Sequence, residues 1–345
     1  MKRSIFFLLA AFAAVLVMSI AGSAQTTSGY HVAKTFEIGG GGGWDYVNFD
    51  ASSSRLYIAR STRVMVVDVE SGKLVGELPG TNGIHGVALV SKLGRGVTSN
   101  GKDNSATIFD LKTLKPIATV KTGEKPDAIL YDTFSGFVLT FNAGSNSVTV
   151  IDVEKAEVIA TIALPGRPET GVSDGNGKVF LNLEDIAHIV VIDMKANKVV
   201  SDWKLEGCEE PTGLAMDRKN RLLFSGCHNQ VMPILNADSG KQLATLPIGK
   251  GVDAVAFDPE TQLAFSSNGE GTMTVVHEDS PEKFSILENV QTQPGAKTMS
   301  LDPKSHKIYL VSAKYEPVPP VTADTPRPKR KMIPDSFFVL VMGKS

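Results

Sequence analysis

Short runs of β-branched and apolar residues, each closed by a polar turn residue, recur along the chain. The segment Ser147–Ile162 (SVTVIDVEKAEVIATI) shows the unit, which is a run of Val, Thr and Ile, a turn opened by Asp152, and a second run. β-branched side chains fit a pleated strand, and an Asp at this point bonds backbone N–H groups of the turn ahead. The pattern predicts β-strands throughout, and no stretch shows sustained helical periodicity.

The closing turn residue returns at a nearly constant spacing of 41 to 43 residues. This series consists of Asp68, Asp110, Asp152, Asp193, Asn236 and His277. A second series of strands closes on Asp50, Val90, Asp132, Asp174, Asp217, Asp258 and Asp302. A fixed period of this length, with several short strands in each repeat, is typical of propeller blades. We therefore predict an all-β fold, a seven-bladed β-propeller of four-stranded antiparallel blades.

One strand is expected to come from the N-terminal side of the chain. Tyr30–Ile38 (YHVAKTFEI) resembles the outermost strand of a blade, such as Lys73–Leu78 (KLVGEL), yet it precedes the first inner strand. The last repeat lacks an outer strand. We expect this segment to complete blade 7, with Val32, Phe36 and Ile38 buried, and to close the ring so that no sheet edge is left open.

A third series of strands lies between the first two, and includes RLYIA at 55–59, FVLTFN at 137–142 and KIYLVS at 307–312. Together these repeats resemble the YVTN-repeat, YncE-like seven-bladed β-propeller family. The resemblance implies an exported propeller from a family whose members mostly have no assigned catalysis. It leaves open a DNA-binding role.

Residues 1–24 are expected to be a signal peptide. Lys2 and Arg3 form a positive start, residues 5–20 are almost entirely apolar, and Gly22–Ala24 supplies small residues for cleavage. An uncleaved membrane anchor is the alternative, for which the apolar run is short. We expect a periplasmic or secreted protein without a membrane anchor after cleavage, in which 25–345 form a single propeller domain.

Composition limits the classes of partner that the protein is expected to bind. The 345 residues are 42% hydrophobic, enough for a large core, and carry a formal net charge of −2. A near-neutral chain lacks the basic footprint of a general nucleic-acid binder. We expect a monomer whose partner is a small molecule or a protein.

The two cysteines fit an exported protein. Cys208 precedes an inner strand and Cys227 ends the next strand, and antiparallel pairing brings these ends to one face. We predict a disulfide, which an oxidising compartment permits. Two free thiols, or a Cys/His metal site that includes His228, are the alternatives.

Two segments interrupt the regular repeat. Gly39–Gly43 precedes no helix start, where a phosphate-binding loop would be placed, so it is interpreted as a flexible link into blade 1. Residues 313–336 form a Pro-rich insertion in blade 7, expected to prevent strand pairing until Phe337. The insertion carries a basic cluster, Arg327, Lys329, Arg330 and Lys331. We expect this cluster to form a lid over the channel mouth, the alternative being an ordinary solvated loop.

Polar residues occupy one equivalent position in all seven repeats, five residues before the end of each inner strand. These residues are Asp45, His85, Asp127, Glu169, Thr212, Asp253 and Lys297. In a propeller the inner-strand starts surround the mouth of the central channel, so we predict a ligand-binding ring. Crowded carboxylates repel each other, which raises their pKa values or recruits a cation. No cofactor is expected beyond a divalent cation in this funnel, and turn capping by each polar residue is the alternative.

Other residues are expected near the same face. The ends of the second strands carry Arg60, Asn100, Asn142, Glu184, His228 and Asn268. Of these, His228 is included in the predicted binding site. Trp44 and Tyr315 are candidates for the floor or roof of the funnel, with core packing as the alternative.

Function is less constrained than fold. The sequence contains no G-x-S-x-G, H-E-x-x-H, C-x-x-C or phosphate-loop motif. The first hypothesis is a non-enzymatic propeller whose top funnel binds a small ligand, a peptide or a protein. The second is a metal-dependent hydrolase similar to lactonase propellers, which mix Glu, Asn and Asp around one metal. The predicted ring is richer in acid and is interrupted by Lys297.

Overall fold

A computed structural model describes residues 27–317 and 331–344. These ranges form 28 strands in seven four-stranded antiparallel sheets, and one short 3-10 turn at Ser91–Leu93. Six sheets are built from four consecutive strands, and the seventh has the order β1-β28-β27-β26. The predicted seven-bladed propeller, closed by the N-terminal strand, is confirmed. Within the described ranges no helix is long and apolar enough to cross a membrane.

Each blade runs from an innermost strand at the central channel to an outermost strand at the rim. The innermost strands are β2 (Val47–Asp50), β6 (Ile84–Val90), β10 (Pro126–Tyr131), β14 (Pro168–Ser173), β18 (Pro211–Asp217), β22 (Val252–Asp258) and β26 (Met299–Asp302). The second strands are β3 (Arg55–Arg60), β7 (Arg95–Asn100), β11 (Val138–Asn142), β15 (Lys178–Leu183), β19 (Leu222–Cys227), β23 (Leu263–Asn268) and β27 (Lys307–Tyr315). The third strands are β4 (Arg63–Asp68), β8 (Ser105–Asp110), β12 (Ser147–Asp152), β16 (His188–Asp193), β20 (Val231–Asn236), β24 (Thr272–Ser280) and β28 (Met332–Lys344). The outermost strands are β5 (Lys73–Pro79), β9 (Pro116–Lys121), β13 (Glu157–Ala163), β17 (Lys198–Lys204), β21 (Gln242–Pro247), β25 (Lys283–Gln291) and β1 (Tyr30–Glu37).

The two middle strands of each blade are buried on both faces because neighbouring blades cover them. In β12, every residue from Ser147 to Ile151 is buried, whereas β13 at the rim is largely exposed. The turn between these strands forms as expected, since the Asp152 carboxylate accepts the N–H groups of Glu154 and Lys155 at 3.0 Å. Local turn chemistry and blade stacking therefore produce the repeat together.

Ring closure uses both faces of β1, whereas the three residues predicted to be buried, Val32, Phe36 and Ile38, would share one face of a regular strand. The strand pairs with β28 from Tyr30↔Lys344 to Glu37↔Phe338, with a register shift between Val32 and Lys34. The extra residue reverses the inward side of the strand, so that Tyr30 packs on the core shared with blade 6 and Phe36 packs on the core shared with blade 1. Val32, predicted to be buried, is 39% exposed.

The insertion in blade 7 is more regular than predicted. Strands β27 and β28 remain paired through Ala313↔Phe337 and Tyr315↔Met332, so the expectation of no pairing before Phe337 was wrong. Pro334 is tolerated because it lies exposed near the register shift between Ala313 and Tyr315. Residues 318–330 lie outside the described ranges.

The glycine run is not a flexible link. The Arg60 guanidinium donates hydrogen bonds to the carbonyl oxygens of Gly40, Gly41, Gly42 and Gly43 at 2.9 to 3.2 Å. Arg60 is fully buried, and its guanidinium lies 3.6 Å from the centre of the Phe337 ring. Burial lowers the pKa of Arg60 to about 10, which leaves it charged at neutral pH. The carbonyl oxygens of the glycine run thus surround the buried guanidinium of Arg60.

The structure joins Cys208 and Cys227 in a disulfide at an S–S distance of 2.05 Å. The bond closes a loop with a sequence separation of 19. Replacing both cysteines by serine is expected to lower the free energy of unfolding by roughly 3 kcal/mol, because the unfolded chain regains loop freedom. Urea unfolding of the oxidised protein, the reduced protein and the double variant measures this, and equal midpoints for all three would contradict it.

Candidate ligand site at the channel mouth

Irregular strand starts bring the predicted ring residues to the channel. In five blades the pairing of the innermost strand skips residues close to its start, between Ile84 and Val87, Pro126 and Ile129, Pro168 and Gly171, Pro211 and Leu214, and Val252 and Ala254. The ring residue of each of these blades lies inside the skipped interval. A bulge turns a side chain away from the regular alternation, so the ring residue at each strand start can point into the channel.

Three ring residues from blades 1 to 3 form one cluster. His85 Nδ1 lies 2.7 Å from Asp45 Oδ2 and 3.4 Å from Asp127 Oδ1. The three side chains retain 24 to 35% exposure, so the cluster is open to a ligand. Burial lowers the pKa of His85, but the Asp45 hydrogen bond and the Asp127 charge raise it more, to a net value above the ordinary one.

Two more ring residues form an ion pair. Lys297 Nζ lies 2.8 Å from Asp253 Oδ2. Burial raises the pKa of Asp253, while the Lys297 charge opposes that rise. Lys297 therefore balances Asp253 most directly, and its charge also acts on Asp45 and Asp127 of the neighbouring cluster.

Glu169 is held by a residue that the sequence interpretation missed. Tyr46 from blade 1 donates its hydroxyl to Glu169 Oε1 of blade 4 at 3.0 Å. Burial, followed by the charges of Asp127 and Asp253, raises the pKa of Glu169 well above its ordinary value. Tyr46 also lines a cavity of about 200 Å³ inside the channel, so it lies between the mouth and the lumen.

A signal for Tyr46 was present in the repeat. The residue that follows the ring position is small in six blades: Gly86, Ala128, Thr170, Gly213, Ala254 and Thr298. Blade 1 has a tyrosine there. A large polar aromatic at a position reserved for small residues indicates a side chain that crosses the channel.

Burial raises the pKa of Asp127 to about 6, against the opposing charge of His85 and with support from Asp45 and Asp253. The ring therefore concentrates more carboxyl groups than its cations neutralise.

Thr212 does not offer its hydroxyl to the funnel as predicted. It is 3% exposed, and Oγ1 donates to the carbonyl oxygens of Gly226 and Val252. Blades 5 and 6 approach closely here, since a Cβ on Gly213 would lie 2.5 Å from the backbone nitrogen of Val255. Close blade packing, rather than ligand binding, explains the polar residue in this blade.

His228 belongs to a second cluster of titratable side chains, and its charge opposes the rise in the pKa of the ring residue Asp253. Its Nδ1 is 2.7 Å from Glu210 Oε2, and with Glu184 these groups place three ligand atoms within 4.8 Å of one another. Arg167 already pairs with Glu184 at 2.6 Å. His228 thus lies beside the disulfide residue Cys208, and its inclusion in the ligand site stays a prediction.

The asparagines at the strand ends are structural. Asn100, Asn142 and Asn268 are at most 1% exposed. In blade 3, Asn142 Oδ1 accepts the Thr140 hydroxyl, and its amide donates to Ser147 and Thr149 at 3.1 and 3.0 Å. Equivalent networks surround the other two. These amides satisfy buried hydroxyls and cannot reach a ligand.

Of the predicted lid residues, Arg327, Lys329 and Arg330 lie outside the described ranges. Lys331 is described, and its ammonium pairs with Glu316 at 3.2 Å. Both side chains are exposed, so this contact contributes little. Its observed partner is on the insertion itself, not in the acidic ring.

A cleft of about 730 Å³ connects the Asp45–His85–Asp127 cluster to the top surface. Its walls include Trp44, Ile84, Lys102 and Lys125. Trp44 packs on Phe337 with ring centres 5.5 Å apart and on Tyr315 at 6.4 Å. Of the two aromatic candidates, Trp44 lines the cleft and Tyr315 supports it from behind.

Comparisons with known proteins identify the architecture. No family model matches the chain, and no curated protein matches it. Among solved structures, a chain in the crystal structure of the mitotic checkpoint complex is similar at 12% sequence identity, with a TM-score of 0.73 over 99% of this chain and 98% of that chain. At this identity the likeness shows the β-propeller fold alone.

Proposed function

We propose that this protein is a binding propeller, of the exported YVTN-repeat kind, whose channel mouth holds a ligand that carries a positive charge. The observation that carries the proposal is the Asp45–His85–Asp127 cluster at the base of the 730 Å³ cleft. A concave site with a few convergent polar groups is the usual form of a small-molecule site. The ligand is a small molecule or the end of a peptide or protein.

The charge balance of the ring favours a cationic group. Asp45 and Asp127 lie on either side of one imidazole, and Glu169 adds a further carboxyl below them. An ammonium or a divalent ion placed between the two aspartates reduces their repulsion and stabilises their charged forms. The apolar wall at Trp44 and Ile84 then covers the remainder of the ligand.

Replacing Asp45 and Asp127 together by Asn is expected to weaken binding of the cationic group about 100-fold or more, because each of the two lost hydrogen bonds to a charged group is worth about 1.5–3 kcal/mol. Titration calorimetry with Ca²⁺, Zn²⁺, putrescine and a lysine-ended peptide as probes measures this on the intact protein. Native mass spectrometry of both proteins detects a ligand that copurifies.

The control for this experiment is Asp103→Asn. Asp103 is an exposed aspartate beside the cleft residue Lys102, and it is not among the cleft-lining residues. It changes the net charge by half as much as the double variant and should leave binding unchanged. Equal probe affinities in the parent and the double variant would exclude the channel mouth as the site.

A metal-dependent hydrolase is the second candidate, favoured by one observation. Asp45, His85 and Asp127 each offer a ligand atom, and the three atoms lie within 4.8 Å of one another. One imidazole and two carboxylates suit a divalent ion, and an ion held by three protein ligands keeps a position for a water that it activates. Metal analysis of the purified protein tests this candidate, since a hydrolase of this kind requires one bound ion that Asp127→Asn releases. Turnover of a lactone by the metal-loaded protein then separates it from a propeller that only binds an ion.

A further inference from the structure

A buried glutamate replaces an apolar residue of the repeat in blade 6. The position after the turn residue of the third strand holds Val69, Leu111, Val153, Met194 and Ala237 in blades 1 to 5. In blade 6 it holds Glu278, which is 2% exposed. The backbone confirms the equivalence, since Glu278 N–H donates to Gln262 O just as Met194 N–H donates to Gly177 O. An ionised carboxylate at such a site is costly unless it is paired.

The neighbour of Glu278 is Asp217 at the end of β18 in blade 5, and it is also fully buried. Five other inner strands end at or next to an aspartate, and Oδ2 of each accepts a side-chain hydrogen bond. The donors are Ser53 at Asp50, Ser135 at Asp132, Arg221 at Asp174, His306 at Asp258, and Ser305 at Asp302. In these five blades the second carboxylate oxygen is therefore satisfied.

Asp217 departs from this rule. Its Oδ1 accepts the Lys219 N–H at 2.9 Å, but its Oδ2 has no donor among the described residues. The residue three positions on is Asn220 in place of a serine or threonine, and its amide turns to Glu278 Oε1 at 2.6 Å. Glu278 Oε2 is the other buried oxygen of this pair that has no partner in the described ranges. Two acceptors without donors thus belong to side chains within hydrogen-bonding reach of each other.

We propose that Glu278 is a neutral carboxylic acid whose Oε2–H donates a hydrogen bond to Asp217 Oδ2. The shared proton stabilises the contact between blade 5 and blade 6, and its loss at higher pH destabilises that contact. The step is a simple ionisation. The O–H bond of Glu278 breaks, the proton passes to water, and two carboxylates remain face to face. Two buried carboxylates within hydrogen-bonding reach of each other repel strongly.

The nearby cations His277 and Arg221 are already engaged by other carboxylates. His277 precedes Glu278 on β24 and its charge lowers the pKa of Glu278, but its Nδ1 is engaged by Asp279 at 2.6 Å. Arg221, on the same turn as Asp217, is engaged by Asp174 and Asp238.

Burial raises the pKa of Glu278 to about 7; the Asn220 hydrogen bond lowers it, and the negative charge of Asp217 raises it further. The sign of the pH effect follows from this direction. The folded state binds the proton more tightly than the unfolded chain, whose glutamate titrates near 4.5. The contribution to stability is therefore complete below about pH 4.5 and is lost as the pH rises to about 7.

The decisive variant is Glu278→Gln, which keeps the shape and supplies a permanent N–H donor to Asp217. Its thermal midpoint should match that of the parent protein at pH 5 and exceed it by several degrees at pH 8. Asp217→Asn, which supplies the donor from the other side and retains the Lys219 contact, should give the same pattern. Glu282→Gln is the control, because this exposed glutamate of the same blade changes the net charge equally.

A spectroscopic readout tests the proton itself. Infrared difference spectra between pH 5 and pH 8 should contain a carboxylic-acid band that Glu278→Gln removes and Glu282→Gln retains. Midpoints for Glu278→Gln that run parallel to the parent from pH 5 to pH 8 would overturn the proposal. Stabilisation of the parent by Ca²⁺ at pH 8, absent in Glu278→Gln, would also overturn it by assigning the pair to a metal ion.

Discussion

A chain that begins after Ile38 is expected to lose most of its folding stability. The deletion removes β1, the outermost strand of blade 7, and exposes the long edge of β28 that pairs from Phe338 to Lys344. Tyr30 and Phe36 are 4% and 5% exposed, and each buried side chain of this size contributes about 1.5–3 kcal/mol. With the lost ladder of hydrogen bonds, the total approaches the whole stability of an ordinary domain. Thermal and urea unfolding followed by circular dichroism measures the loss.

The matched control is a chain that begins at Ser28, which keeps β1 and the contacts of Ser28 with Glu288. It should unfold at the midpoint of the longer chain. A synthetic peptide of residues 30–38 should partly restore the truncated protein by strand addition at the open edge. An unchanged midpoint in the truncated protein would show that blade 7 does not depend on β1.

Replacing Arg60 by Met should destabilise the protein by about 3 kcal/mol or more. The guanidinium makes four hydrogen bonds to the glycine carbonyls, and bonds to a charged group are worth about 1.5–3 kcal/mol each, although they are not additive. Met fills a similar volume and provides no donors. Release of Gly40–Gly43 should also displace Asp45, two residues further on, and weaken binding at the channel mouth. Urea unfolding and calorimetry with the probes above measure both effects.

Arg63→Met is the matched control for this substitution. Arg63 also donates to Gly41 O, at 3.2 Å, and pairs with Glu77 at 3.0 Å, but it is partly exposed. Its loss should cost less than about 1 kcal/mol, as is usual for exposed ion pairs. Equal losses for the two variants would show that the glycine run does not depend on the buried guanidinium.

The number and order of the blades could be predicted because each repeat is specified by contacts between residues that are close in sequence. Each turn forms within a few residues of its aspartate, as at Asp152, and at Asp193, whose carboxylate accepts the N–H groups of Lys195 and Ala196. Such contacts need no knowledge of the remainder of the chain. Ring closure followed because one strand was in excess at one end and one was lacking at the other.

The direction of individual side chains could not be predicted from the period alone. A bulge in β1 reverses its buried side, which exposes Val32, and the close approach of blade 5 to blade 6 encloses Thr212. Both outcomes depend on backbone irregularities that a regular strand pattern does not encode.

Contacts between segments that are distant in sequence could not be predicted either. The bond between Tyr46 and Glu169 spans a sequence separation of 123, and only the unusual size of Tyr46 at its repeat position points to it. The glycine carbonyls around Arg60 likewise gave no sequence signal, because a glycine run is compatible with many conformations.

The composition of blade 7 has a consequence for the order of events during synthesis. β1 is the first of the described strands to be made and β28 is the last, and Tyr30 Oη donates to His306 O across a sequence separation of 276. Earlier blades have all their strands soon after they are translated, whereas β1 lacks its β28 partner until all the other described strands have been translated. The nascent protein therefore carries one unpaired strand, and translation of β28 is what permits the ring to close.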